Sequence, residues 1–586
     1  MIMNLKQINT KVILPSSLIA LSSLTAAAAN ERSNVIFILV DDLSYFATSP
    51  YGAKSVNSSH FKDAPIKTPN MQRLANEGVM CTHGYAHALS EATRVALMTG
   101  MNGGRNFLQC KSLHHSQITF GDAFKREGYA TGMYGKWKQT RGTKNIPGVR
   151  YISEFGWDDY ACFDVVDEGQ RYINPEMVVN DKSVSYKGRT DLDPHTNRRW
   201  YGPDIFNRKA LEFIETNKDK PFFLYYSMVL IHDEHKPTPD TKPYSVFDTT
   251  SEAKKNDLRE YFPDMIEYTD KLIGKVIDKV EDLGLRENTL IVVMGDNGSK
   301  EFVRFTLEDG SLHYGSKGHT RYGGEQIPLI FSKPGTIPCG ENKVREYTPT
   351  VDLTDIYPTI MNSCGLDVPN AEEIDGVSFW KQLTAKSSKA HRECIYKWYN
   401  GNNSQKDLET ALRYAQTSDF KYYAPHDVYP QGRFFDLRTD SLEHAGAKGR
   451  KMGWMNYWYS GLDLDKLTPE QAKAYKMLKA EVERNNYVAV ERIAIAKAPK
   501  KLAVGKVFHL EHSVIPRNAT RIAVIWNSSN PEVVSVNKFG EITTHSKGEA
   551  TITLYSWDDA WPVANGPKTG GYLKDGIKDS VKIIVE

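Results

Sequence analysis

The chain has 586 residues, of which 40% are hydrophobic and 25% charged, and a formal net charge of +2. That length exceeds one compact core and predicts two or three domains of ordinary soluble composition. The small net charge, with no basic run or basic–aromatic stripe, argues against nucleic acid as the main partner. Six scattered cysteines show no CxxC or zinc spacing and no dense disulfide framework, and leave room for one or two bridges.

The N-terminus reads as an export signal. Lys6 and Lys11 precede an uncharged stretch over 12–29 that ends in Ala26-Ala-Ala-Ala29, small residues suited to signal-peptidase cleavage. Pro15 and several serines make it too polar for a good membrane span, and no cysteine near the cleavage point supports a lipid anchor. The expected location is the periplasm or exterior of a bacterium, without a transmembrane anchor.

Asn34-Val-Ile-Phe-Ile-Leu-Val40 is a continuous apolar run, the pattern of a parallel strand buried on both faces. It ends in Asp41-Asp42. Alone, such a pair is most often a polar strand end capping a helix. At the C-terminal edge of an α/β sheet, however, adjacent carboxylates repel unless a cation lies between them, and ligands bind at that edge. Thr68-Pro-Asn-Met-Gln-Arg-Leu74 and Ser90-Glu-Ala-Thr-Arg94-Val-Ala-Leu97-Met-Thr99-Gly100 follow. Read by itself, Ser90 is the N-cap of an apolar helix. Residues 118–127 look helical and lead into Gly128-Tyr-Ala-Thr-Gly-Met-Tyr-Gly135-Lys136-Trp137-Lys138. From Gly156 to Pro203 the sequence reads as loops around a pocket. An amphipathic helix is expected over 204–215, apolar at Ile205, Phe206, Ala210, Phe213 and Ile214.

A strand over 221–227 precedes His232 and His235, and a core helix is marked by Met265, Ile266, Leu272, Ile273, Val276, Val280 and Leu283. The next buried strand, over 288–294, runs into Asp296-Asn297-Gly298, which alone would be a turn. With Asp41 and Asp42 this makes an all-oxygen donor set suited to a hard cation, Ca²⁺ before Mg²⁺. Lys317-Gly-His-Thr-Arg-Tyr322-Gly-Gly324 comes next. Lys421-Tyr-Tyr423 and Phe435-Asp-Leu437 suggest a small antiparallel unit, sealed by a helix over 469–484. Beyond Tyr487 short alternating strands, with Ile493, Val514, Val524, Trp526, Val534 and Val536, predict a β-sandwich.

In this order the motifs resemble the type I sulfatases of the alkaline-phosphatase superfamily. Ser90 and Arg94 match the family's Cys/Ser-x-Pro-Ser-Arg-x-x-Leu-x-Thr-Gly signature, with Ala92 and Thr93 replacing Pro and Ser. The resemblance covers about residues 34–443. It implies an α/β fold with a large mixed, mostly parallel sheet flanked by helices, a small C-terminal antiparallel subdomain and an appended all-β sandwich. The last resembles a group 2 bacterial Ig-like domain, in Trp526-x-Ser-Ser-Asn-Pro531 and Gly548-x-Ala-Thr551 among other segments. The expected division is 1–29 signal, 30–390 catalytic, 391–486 C-terminal subdomain and 487–586 Ig-like.

By the same resemblance, Ser90 is oxidised to formylglycine by a radical S-adenosylmethionine maturase, and Asp41, Asp42, Ser90, Asp296 and Asn297 hold the metal. Arg94, Lys136 and Lys317 meet the sulfate. One hydroxyl of the formylglycine hydrate attacks sulfur, His232 or Lys317 protonates the departing alcohol, and the second hydroxyl expels sulfate. Lys138 stands where the family has the His that deprotonates the hydrate; Tyr322 and Gln326 replace a Glu and an Arg. Export and the Ig-like module point to a sulfated carbohydrate as substrate. Two rival readings stay open: a phosphoester or phosphonate hydrolase of the same superfamily, and a degenerate protein that binds sulfated glycan without turnover.

Overall fold

The computed structural model describes residues 32–106, 113–139, 148–163, 169–253, 255–341, 343–385, 389–399, 411–426, 429–451, 457–558 and 576–586. The expected export signal and Cys110 lie outside them. The five described cysteines (Cys81, Cys162, Cys339, Cys364 and Cys394) are free thiols, so the bridges that their number allowed do not form among them.

A ten-stranded mixed sheet organises the larger part of the chain. Its strands are β1 (Asn34–Val40), β2 (Gly78–Cys81), β3 (Ala130–Lys136), β4 (Asp159–Phe163), β5 (Glu176–Val179), β6 (Lys182–Ser185), β7 (Phe222–Ser227), β8 (Thr289–Gly295), β9 (Leu329–Ser332) and β10 (Arg345–Tyr347). In space they run β10-β2-β9-β8-β1-β7-β3-β4-β5-β6. β8, β1, β7, β3 and β4 are parallel neighbours, and antiparallel strands extend both flanks.

β1 alternates between two cores. Val35, Phe37 and Leu39 pack with helices α2 (Ser90–Thr99), α3 (Phe120–Arg126) and α6 (Ile356–Ser363) on one face. Ile36, Ile38 and Val40 pack with α1 (Pro69–Asn76), α4 (Gly202–Thr216) and α5 (Phe262–Asp282) on the other. Each such side chain, fully removed from water, contributes about 1.5–3 kcal/mol. This two-sided burial is why the sequence of β1 has no polar alternation.

The stretch over 156–203, read from sequence as pocket loops, holds β4, β5 and β6, so it forms the edge of the main sheet. The strands are short and their burial uneven, which leaves little periodicity to read. The helices expected over 204–215 and 469–484 form as Gly202–Thr216 and Pro469–Arg484, the latter opened by a capping box between Thr468 and Gln471.

That last helix covers a four-stranded antiparallel sheet of Ile395–Tyr399, Leu412–Gln416, Phe420–Tyr423 and Arg433–Asp436. Beyond it, small sheets enclose a core containing Val524, Trp526, Val534, Ile542, Ile552 and Leu554. This sandwich is docked on the large unit. Lys538 Nζ donates to the carbonyls of Gln117 (2.9 Å) and Glu154 (2.6 Å) and to Asp122 Oδ2 (3.1 Å). Arg126 pairs with Glu541 at 2.6 Å, and Arg521 Nε donates to the Gly104 carbonyl at 3.2 Å. Among the described residues no helix is long and apolar enough to cross a membrane.

Candidate active site

Parallel pairing brings the strand ends level. Val40 is in register with Gly295, Leu39 with Ser227, and Ser227 with Gly135. The residues that follow, Asp41, Asp296 and Lys136, therefore emerge side by side at one edge, the place where open α/β sheets bind ligands. The approach is close at Gly135, whose φ is +111° and where a Cβ would lie 1.8 Å from the Ser227 carbonyl oxygen. Only glycine fits there.

Asp41, Asp296, Asn297, Arg94 and Lys136 are fully buried. Lys136 Nζ donates to both oxygens of Asp41 (2.8 and 2.7 Å) and to Ser90 Oγ (3.1 Å). Arg94 donates from Nε (3.1 Å) and Nη2 (2.7 Å) to Asp296 Oδ2, and also reaches the Ser227 hydroxyl. Asp42 carries a left-handed backbone (φ 61°), and its N–H donates to Asp296 Oδ1 at 2.9 Å. Asn297 Nδ2 donates to Asp42 Oδ1 at 2.8 Å, and Lys317 Nζ donates to Asp42 Oδ2 at 2.7 Å. Lys317 is held near Ser90 by its own loop, since the Gly318 N–H donates to the Ala88 carbonyl at 2.8 Å.

Ser90 is not an N-cap. Leu89, with extended φ −136° and ψ 140°, occupies the cap position, and Ser90 is the first helical residue. Its hydroxyl faces Lys136 rather than a helix N–H. A residue at the first turn of α2 also lies in the positive end of the helix dipole, favourable for negative charge on its oxygen.

The charges reshape one another. Burial would raise the Asp41 carboxyl, but Lys136, His232, Arg94 and Lys317 hold it well below the usual range. Burial and the carboxylates of Asp41 and Asp42 lift Asp296 to about 7, against the pull of Arg94 and Lys136. Burial lowers Lys136 to about 8, with Asp41 opposing and Arg94 and Lys138 assisting. His232 falls to about 4 through burial and the nearby Lys317.

His232 arrives after β7. Its Nδ1 lies 2.7 Å from Asp233 Oδ1, and Asp233 is paired with Lys300. Its ring, Asp41 and Asp42 can place ligand atoms within 4.8 Å of one another, so a nitrogen sits beside the oxygen set read from sequence. His235 is structural: Nδ1 bonds Asp257 at 2.8 Å and its ring packs against Phe262 and Phe302. Lys138, in a left-handed backbone (φ 66°), places Nζ 3.8 Å from Glu91 Oε1, beside Ser90 in the chain. It reaches the site from the side of α2.

Sequence reading missed Arg171. From the segment between β4 and β5 its Nη1 comes within 3.6 Å of Asp41 Oδ2, with the guanidinium 4.7 Å over the Phe163 ring. Outward from Lys317 and His232 opens a cleft of about 470 Å³, also lined by Leu89, Asp233, Arg259 and Phe302. That volume lies in the range of small-ligand sites.

The family model "Sulfatase" matches residues 33–366, and "Bacterial Ig-like domain (group 2)" matches residues 489–560. An arylsulfatase of Hemicentrotus pulcherrimus is 27% identical over 399 residues, 62% of this chain and 64% of its own length, so the chain spans less than two thirds of that relative. The N-acetylglucosamine-6-O-sulfatase of Bacteroides thetaiotaomicron is 24% identical over 561 residues, 79% of this chain and 91% of its own. In fold, the chain is similar to the crystal structure of Ps i-CgsB in complex with k-i-k-neocarrahexaose. The TM-score is 0.53, at 22% identity, covering 70% of this chain and 87% of that one.

Proposed function

Because the chain belongs to the sulfatase family, a family of sulfuric ester hydrolases, we propose that it is an exported bacterial enzyme that removes sulfate from a sulfated poly- or oligosaccharide. The observation that carries this is Lys136, whose ammonium bridges the Ser90 hydroxyl and both oxygens of Asp41. A nucleophile position, an acid pair and a buried cation thus share one point.

The donor set fits a hard divalent cation, Ca²⁺ before Mg²⁺. Asp41, Asp42 and Asp296 converge with Asn297, whose buried Oδ1 has no hydrogen-bond partner, a costly orphan that a cation would satisfy. Together with Ser90 these residues would hold it. The bound ion would draw electron density from the sulfate oxygens. Formylglycine made from Ser90 by a radical S-adenosylmethionine maturase would supply a renewable hydroxyl nucleophile.

The chain's own groups then have distinct tasks. Arg94 fixes Asp296 and shields its charge. Lys136 and Lys317 stand ready to leave their carboxylates for sulfate oxygens, and Arg171 adds a further cation beside Asp41. Either Lys317, kept charged against burial by Asp42 and Asp41, or His232, with Nδ1 turned to Asp233 and once protonated, would hand a proton to the departing sugar oxygen. Lys138 replaces the imidazole usual in the family, with its ammonium 3.8 Å from Glu91, the chain neighbour of Ser90. We read residues 30–390 as the catalytic domain, 391–486 as its subdomain and 487–586 as the Ig-like module, after a signal over 1–29.

The test is initial rates on matched aryl sulfate and aryl phosphate esters, with protein made beside the maturase. Sulfate should be strongly preferred, and Ser90→Ala should lower the rate by on the order of 10⁴-fold with the fold intact. A clear preference for phosphate overturns the reading in favour of a phosphoester hydrolase.

A further inference from the structure

A cleft of about 860 Å³ lies between the catalytic unit and the Ig-like module, away from the strand-end site. Met101, on its wall, follows the C-terminal end of α2, whereas Ser90 begins that helix. Ten helical residues put about 15 Å between those ends.

The two walls are held in place. Lys538 lines the cleft and is sunk into the catalytic unit by its bonds to Gln117, Glu154 and Asp122, with its ammonium 5.0 Å over the Phe155 ring. Arg126 is fixed between Glu541 and the Phe539 ring, 4.6 Å from the ring centroid. These cations are committed to docking and shape the cleft.

The rest of the lining carries a cation and imidazoles that can meet an anionic ligand. Trp526 belongs to the sandwich core and shows the cleft only an edge, with His512 packed edge-on against it at 5.7 Å, and the Phe539 ring is covered by Arg126. Arg517 is exposed in the cleft wall and has no ionic partner among the described residues. His509 and His512 add ring N–H donors beside it. On the opposite wall Glu373 accepts from Asn370 Nδ2 at 3.1 Å, and Glu372 also lines the cleft. Apolar surface with a few convergent polar groups is what a ligand cleft of this size needs.

We propose that this cleft is a second, non-catalytic binding site for a sulfated oligosaccharide segment, with a sulfate on Arg517 and ring N–H donors from His509 and His512. The choice of glycan rests on the function proposed above. Holding the polymer here raises the local concentration of sulfate esters around the catalytic cleft. It gives the Ig-like module a role as one wall of a binding site rather than as a spacer.

The experiment is affinity electrophoresis of the full chain, as Ser90→Ala, in gels containing sulfated galactan, heparin or chondroitin sulfate, with desulfated galactan as a control. At least one sulfated polymer should retard the chain. Arg517→Ala should weaken retardation about tenfold and His512→Ala by less, with unchanged thermal unfolding. Arg517→Ala in the otherwise native enzyme should hydrolyse a small aryl sulfate at the native rate. Retardation by none of the sulfated polymers overturns the proposal, as does equal retardation of Arg517→Ala, or equal binding to desulfated galactan. Loss of retardation in Arg517→Ala without sulfatase activity in the native chain would leave this site standing and overturn the proposed reaction instead.

Discussion

Two of the molecule's buried charge clusters are built differently. In the C-terminal subdomain Lys421 sits between Glu325 (3.4 Å) and Glu443 (3.2 Å), under the rings of Tyr414 and Tyr423. The other oxygens of those carboxylates accept from the Tyr414 and Tyr423 hydroxyls, and the Lys421 ammonium also meets the Thr320 carbonyl. One lysine answers two carboxylates, and Glu443, itself in a left-handed backbone (φ 55°), keeps Oε1 without a hydrogen bond beyond the lysine's charge. At the strand ends Arg94, Lys136, Arg171 and Lys317 surround Asp41, Asp42 and Asp296, while Asn297 keeps a buried oxygen without a partner. Asp42 is moreover held in a left-handed backbone. A left-handed backbone and an unmet acceptor occur in both places, so neither alone marks a site. What separates them is charge: one cation between two carboxylates in the subdomain, four cations around three carboxylates beside an open cleft at the strand ends.

The contrast is broken most sharply by exchanging the two lysines for methionine. Lys317→Met should cost on the order of 10²–10³-fold in kcat/KM through loss of a cation facing the developing charge, with a small change in thermal unfolding. Lys421→Met should do the reverse. It leaves two buried carboxylates without their cation, at about 3–5 kcal/mol, and the molecules that still fold should turn over within a few-fold of native. Steady-state rates normalised to folded protein, with calorimetric Tm, decide it; equal losses in both assays for both variants would erase the distinction.

Arg171→Ala comes next in size. The loss of a cation 3.6 Å from Asp41 should reduce kcat/KM roughly 10- to 100-fold. An unchanged value would return Arg171 to a purely structural place on the Phe163 ring.

Arg171 also marks where the sequence stopped being readable. The apolar runs of β1, β7 and β8 were legible because both faces of each strand are buried, and the acids after them were legible because register carries the strand ends level. Arg94, Lys136 and Lys317 came from their motifs, and the structure brings all of them to that edge. Arg171 belongs to no strand pattern. It reaches the site only because β4 and the strands after it continue the sheet, a long-range pairing that local periodicity does not encode. Ser90 taught a related lesson: a serine opening an apolar helix reads as a cap, yet Leu89 holds the cap position and the serine faces a buried ammonium. The docking of the sandwich through Lys538 was equally illegible, since one lysine in a turn carries no trace of the carbonyls it will meet.

Lys138→His is the mildest test. Lys138 pairs with Glu91 and lowers Lys136 through its charge. If position 138 serves proton transfer, the imidazole should hold kcat/KM within a few-fold and move the pH optimum toward the range where histidine titrates. A loss above about 100-fold with an unmoved pH profile would assign the lysine to charge-specific contact instead.

The central claim is that the residue beside Lys136 is a modified, reactive nucleophile. The mass of the peptide spanning Ser90, from protein produced with the radical maturase, tests it most directly. The account predicts the loss of two hydrogens at Ser90, in a form trapped by a hydrazine. An unmodified serine in protein that still hydrolyses sulfate esters would contradict it.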